Sequence, residues 1–127
     1  MRRIGMTRRA IVLVCLSALA AAGGLLAPAG GRARAQPPRV VAITAKRFEF
    51  SPSEITLKQG ETVTLQLRSE DTTHGLFVRP LGIDKDIVPG ATTEVTITPK
   101  EPGRYRAICD HFCGAGHGGM KMMIVVE

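Results

Sequence analysis

Two thiols, two imidazoles and a thioether fall within twelve residues near the C-terminus, in the run Cys109-Asp-His111-Phe-Cys113-Gly-Ala-Gly-His117-Gly-Gly-Met120. The spacing is Cys-x3-Cys-x3-His-x2-Met, and the one remaining histidine, His74, stands 35 residues before Cys109. Thiolate and thioether sulfurs combined with imidazole nitrogens form the ligand set that suits copper. Two thiolates four residues apart can bridge two copper ions, and with one imidazole per ion they would make a dinuclear electron-transfer centre. Such a centre moves electrons and does not transform a substrate.

Other readings of the same residues stay open at this point. Two cysteines in an exported protein commonly form a disulfide. Two cysteines and two histidines also satisfy tetrahedral zinc, although a methionine at a fixed offset argues against it. A one-copper site could use His74, Cys113, His117 and Met120, leaving Cys109 as a spare thiol. Taken alone, His74 could be an ordinary turn residue, and Met120 could be core, as Met122 and Met123 are read. The side chain of His111 could face solvent, bind a partner or touch a metal.

The elements that would hold these ligands read as β-structure. Thr62-Val63-Thr64-Leu65-Gln66-Leu67-Arg68 alternates polar and apolar residues without a miss, and Glu94-Val95-Thr96-Ile97-Thr98 repeats the pattern; a period of two marks a half-buried strand. Residues 40–50 and 122–126 are rich in β-branched and apolar residues. Turn residues punctuate the runs at Ser51-Pro52, Gln59-Gly60, Pro80-Leu81-Gly82, Pro89-Gly90 and Pro99 through Gly103. No ten-residue window after residue 35 has a helical period. Short strands with such frequent turns indicate an all-β fold, a Greek-key β-sandwich. Residues 36–39 are expected to form a loose tail.

Residues 1–35 read as an export signal. Arg2, Arg3, Arg8 and Arg9 supply a basic start, residues 11–22 an apolar run, and Ala33-Arg34-Ala35 a small-x-small cleavage site. Thr7-Arg8-Arg9 also permits twin-arginine export. Gly23, Gly24 and Pro28 interrupt the apolar run before it reaches the roughly 20 residues of a membrane span, so no retained span is expected. Val14 is bulkier than the residue that precedes a lipidated cysteine, which argues against an anchor at Cys15.

The leader also accounts for the charge. Six of the 17 basic residues lie in it, leaving eleven to balance the 11 acidic ones. The overall net charge of +6 is therefore no sign of a nucleic-acid partner. Residues 36–127 suffice for one small domain with a thin core, the kind that a metal or disulfide helps to hold.

Over residues 46–127 the chain resembles the cupredoxins, and among them the CuA domains of cytochrome c oxidase subunit II and nitrous oxide reductase. The general features are Pro52-x-x-Ile55-x-Leu57-x-x-Gly60-x-x-Val63, and Pro102-Gly103-Arg104-Tyr105 leading into Cys109. The more specific ones are Asp71-Thr72-Thr73-His74-Gly75, Leu81-Gly82-Ile83 with Val88-Pro89-Gly90, and above all the Cys-x3-Cys-x3-His-x2-Met loop. The resemblance implies that Cys109 and Cys113 bridge two coppers. One copper would take His74 with Met120 as weak axial ligand, and the other His117 with the backbone carbonyl of His111.

The resemblance further implies an exported, periplasmic electron carrier that is not an enzyme by itself. Its partner would be a redox protein such as a cytochrome c or a terminal oxidase. Two other roles remain open: a copper chaperone or store, and a detached subunit II-like oxidase module. The chain departs from the oxidase pattern in having no tryptophan for an aromatic relay. His111 stands where oxidases carry an acidic residue and nitrous oxide reductases a tryptophan.

Overall fold

A computed structural model describes residues 30, 31 and 34–127. The expected leader, apart from residues 30, 31, 34 and 35, lies outside the described residues. Residues Ala35–Glu127 make one compact unit. Among the described residues there are nine strands and two short 3-10 turns, at Arg79–Leu81 and His117–Gly119, and no α-helix. Among the described residues no helix is long and apolar enough to cross a membrane.

The strands form two mixed sheets, the sandwich that the alternating runs indicate. One sheet has the order β2 (Glu49–Ser51), β1 (Arg39–Lys46), β4 (Val63–Ser69), β7 (Thr93–Ile97). The other has the order β3 (Glu54–Leu57), β9 (Lys121–Val126), β8 (Gly103–Ile108), β5 (His74–Val78), β6 (Ile83–Ile87). Strands β1 and β4 run parallel, as do β3 and β9, and the remaining pairs are antiparallel.

The period of two in β4 explains its place at the centre of the first sheet. Val63, Leu65 and Leu67 are completely buried. The alternate residues face outward and pair across to β7, Thr64 with Thr96 at 2.9 Å and Gln66 with Glu94 at 2.8 Å. Ile43, Leu65 and Leu67 join Leu57, Leu76, Val78 and Ile124 of the second sheet in a single buried cluster. Each such side chain contributes about 1.5–3 kcal/mol on burial, enough for the two sheets to hold the loops at their edges in place.

Two expectations change. The β-rich run over residues 40–50 is a hairpin and not one strand, because β1 and β2 turn back on each other at Arg47-Phe48 with Lys46 opposite Glu49. Arg39 also leaves the expected tail and heads β1 opposite Val63, its guanidinium 2.8 Å from Glu61.

Candidate metal centre

Antiparallel pairing builds the site at one end of the second sheet. Strand β8 ends at Ile108 and β9 begins at Lys121, so residues 109–120 form the connection between two paired strands. The Cys109 N–H donates to the Met120 carbonyl at 3.1 Å and closes the base of this loop. Strand β5 runs antiparallel to β8 with Phe77 opposite Ile108. Beyond Ile108 the chain therefore travels beside the start of β5, which brings Cys109 to Gly75 and His74. The Gly75 N–H donates to the Cys109 sulfur at 3.4 Å.

The two sulfurs are 3.7 Å apart and both thiols are free, well beyond the roughly 2.05 Å of a disulfide. An imidazole nitrogen stands at each side of the pair. His74 Nδ1 is 4.0 Å from Cys109 Sγ, and His117 Nδ1 is 3.7 Å from Cys113 Sγ. Met120 Sδ lies 3.8 Å from Cys113 Sγ, and the Cys109 thiol donates to the His111 carbonyl at 3.2 Å. Ligand atoms of His74, Cys109 and Cys113 fall within 4.8 Å of one another. All six residues singled out in the sequence thus meet in one place, five through side chains and His111 through its carbonyl. The His111 side chain turns away, to within 3.5 Å of Asp86 on β6.

The surroundings suit a cation. His74, Cys109, Cys113 and Met120 are all nearly inaccessible to water. Burial, with the hydrogen bond and charge of Cys109 added, pushes the Cys113 thiol up to about 11. Two buried thiolates side by side need a positive charge between them, and a metal ion supplies one. Asp71, three residues before His74, lies 2.6 Å from His74 Nε2. A proton on Nε2 leaves Nδ1 as the free lone pair, turned toward the sulfurs, and the carboxylate behind the imidazole fixes the orientation of the ring. Burial opposes ionisation of Asp71. Hydrogen bonds from His74 and from the Arg47 and Thr72 N–H groups outweigh it and hold the carboxyl well below the usual range.

A thioether and a carbonyl beside two thiolates and two imidazoles are more donors than tetrahedral zinc uses, and the soft donor set would suit copper. Asp71 stands in the sequence motif around His74 with no role of its own, and its i−3 spacing to His74 is the local signal of its part in the site.

The sequence pattern of the Cupredoxin-like domain family matches residues 10–126. Cytochrome c oxidase subunit 2 of Thermus thermophilus is 37% identical over 87 residues, covering 68% of this chain and 64% of its own. Nitrous-oxide reductase of Cupriavidus necator is 36% identical over 91 residues, 68% of this chain and 14% of the enzyme. This chain therefore spans less than two thirds of either relative. The periplasmic domain of subunit II of cytochrome oxidase from Bradyrhizobium japonicum superposes with a TM-score of 0.67 at 17% identity, over 72% of this chain and 86% of that one. With its two-sheet fold, its buried soft-ligand cluster and a family match over nearly its whole length, the chain belongs to the cupredoxin-like domain family.

Proposed function

We propose that this protein is an electron-transfer domain built around a dinuclear, CuA-type copper centre. The carrying observation is the unbonded sulfur pair, 3.7 Å apart, flanked by imidazole nitrogens at 4.0 and 3.7 Å. In this reading Cys109 and Cys113 would hold both ions, and His74, His117, Met120 and the His111 carbonyl would complete the ligand set. Bound copper supplies a one-electron couple.

The protein's own part is to keep every ligand still. His74 is the first residue of a paired strand and is fixed from behind by Asp71. The cysteines and Met120 lie in a loop closed by paired strands and shielded from water. Ligands that barely move lower the rearrangement that accompanies each electron. In this arrangement protein donors fill the ligand positions and leave none for a substrate, so the domain carries electrons for a partner and does not itself catalyse.

The identity of the relatives supports a respiratory partner, a cytochrome c or a terminal oxidase. The signal-like sequence of residues 1–35 supports export, and residues 36–127 would then be the mature, periplasmic domain. Native mass spectrometry of reduced protein reconstituted with copper tests the reading. Two tightly held ions are expected. One ion supports a mononuclear site, and ready loss to a chelator supports a copper-handling role.

A further inference from the structure

The tip of the β1–β2 hairpin contributes no ligand, yet it touches both segments that do. Arg47 makes two short hydrogen bonds of different kinds. Its main-chain N–H donates to Asp71 Oδ2 at 2.7 Å, while Asp71 Oδ1 holds His74. Its side-chain Nε–H donates to the Cys113 carbonyl at 2.7 Å. These bonds cross 24 and 66 residues of sequence. The next residue, Phe48, lies against the loop's backbone where it has no side chains. A Cβ on Gly114 would meet the Phe48 ring at 3.0 Å, and one on Gly116 would overlap it.

We infer that Arg47 is a positioning residue for the metal centre, joining the Asp71–His74 segment to the 109–120 loop so that the ligand cluster is assembled before any metal binds. The inference rests on the copper reading for its purpose, but its physical content concerns the metal-free protein. Besides the Cys109–Met120 closure at its base, the backbone bonds within residues 114–120 are few: His117 N–H to Gly114 O, Gly119 N–H to Gly116 O and Met120 N–H to His117 O, each at 3.1 Å. A glycine-rich segment with so few bonds of its own has high conformational freedom. A charged donor anchored to a strand hairpin restrains it from outside. Arg47 is an exposed residue, so water competes for its donor and the restraint comes from the position of the donor more than from its charge.

Side-chain geometry gives a clean pair of variants. The Nε2 of glutamine is the same number of bonds from the main chain as the Nε of arginine, so Arg47→Gln keeps a donor and drops the charge. Arg47→Met keeps the length and drops the donor. The measurement is amide hydrogen exchange in the reduced, metal-free full chain, comparing residues 114–120 with Leu65 and Leu67 in β4 as an internal control of folding. Arg47→Met is expected to speed loop exchange about tenfold, the equivalent of about 1.4 kcal/mol, with β4 unchanged, and Arg47→Gln to stay within about twofold of the parent chain. Parent-like exchange in Arg47→Met, or equally fast exchange in both variants, overturns the inference. A parent protein that binds no pair of coppers would refute the copper reading and leave this exchange result standing.

Discussion

The Asp71 carboxylate and the His74 imidazole form a 2.6 Å contact between Oδ1 and Nε2, with the imidazole fully buried and the carboxylate near the surface. The contact turns His74 from an apolar-pocket histidine into an oriented donor, because it fixes which nitrogen carries the proton. Asp71→Ala removes the orienting group and leaves the ligand itself. Copper affinity is expected to fall about 10–100-fold, measured by competition with a chelator of known affinity. The depressed Asp71 carboxyl has a second consequence in the metal-free protein. The stability it contributes is present above the ordinary carboxylate range and is lost as pH falls through its folded value. Asp71→Ala should therefore flatten the acid limb of the stability curve.

The alkaline limb tests Cys113. Its thiol binds a proton more tightly in the folded, metal-free protein than in the unfolded chain, with a folded value of about 11 against an ordinary 9.0. That contribution to stability is complete below pH 9.0 and disappears as pH rises through about 11. Denaturant unfolding of the reduced metal-free protein should lose stability across this window. Cys113→Ser, which does not titrate there, should lose less over the same interval. Identical alkaline profiles would refute the assignment.

Gly75 is a point of close approach between β5 and the metal loop. A Cβ there would lie 2.9 Å from the His111 main-chain nitrogen and would overlap the Asp110 carboxylate. The carboxylate can swing away, but the backbone nitrogen belongs to the loop that carries the ligands. Gly75→Ala is expected to cost about 1–3 kcal/mol of stability, read from the denaturant midpoint of the metal-free protein.

The ligand loop and β4 were legible in the sequence because both are local patterns. Ligand spacing within residues 109–120 survives folding, and the alternation in β4 maps directly onto Val63, Leu65 and Leu67 in the core. Strand β6 left no such trace, since Asp84, Lys85 and Asp86 between its two buried isoleucines are all exposed on a sheet edge. Strand β8 was equally silent, with Ala107 its one buried residue. His74 drew notice through a motif, whereas its tie to Cys109 exists only because β5 pairs with β8. The role of Arg47 depends on partners 24 and 66 residues away. No reading of neighbouring residues could have found it.

Cys109 separates the dinuclear reading from a one-copper site that leaves it spare. With both sulfurs bridging, Cys109→Ser should abolish the two-copper stoichiometry and its spectrum while the fold survives, as monitored by the unfolding transition of the metal-free variant. A spectrum unchanged by Cys109→Ser would remove Cys109 from the centre.

The central claim is that the two sulfurs, 3.7 Å apart, hold a pair of coppers that shares one electron. Electron paramagnetic resonance of the copper-reconstituted, one-electron-oxidised protein tests it most directly. The account predicts a single unpaired spin coupled equally to two copper nuclei. A spin localised on one copper nucleus would contradict it.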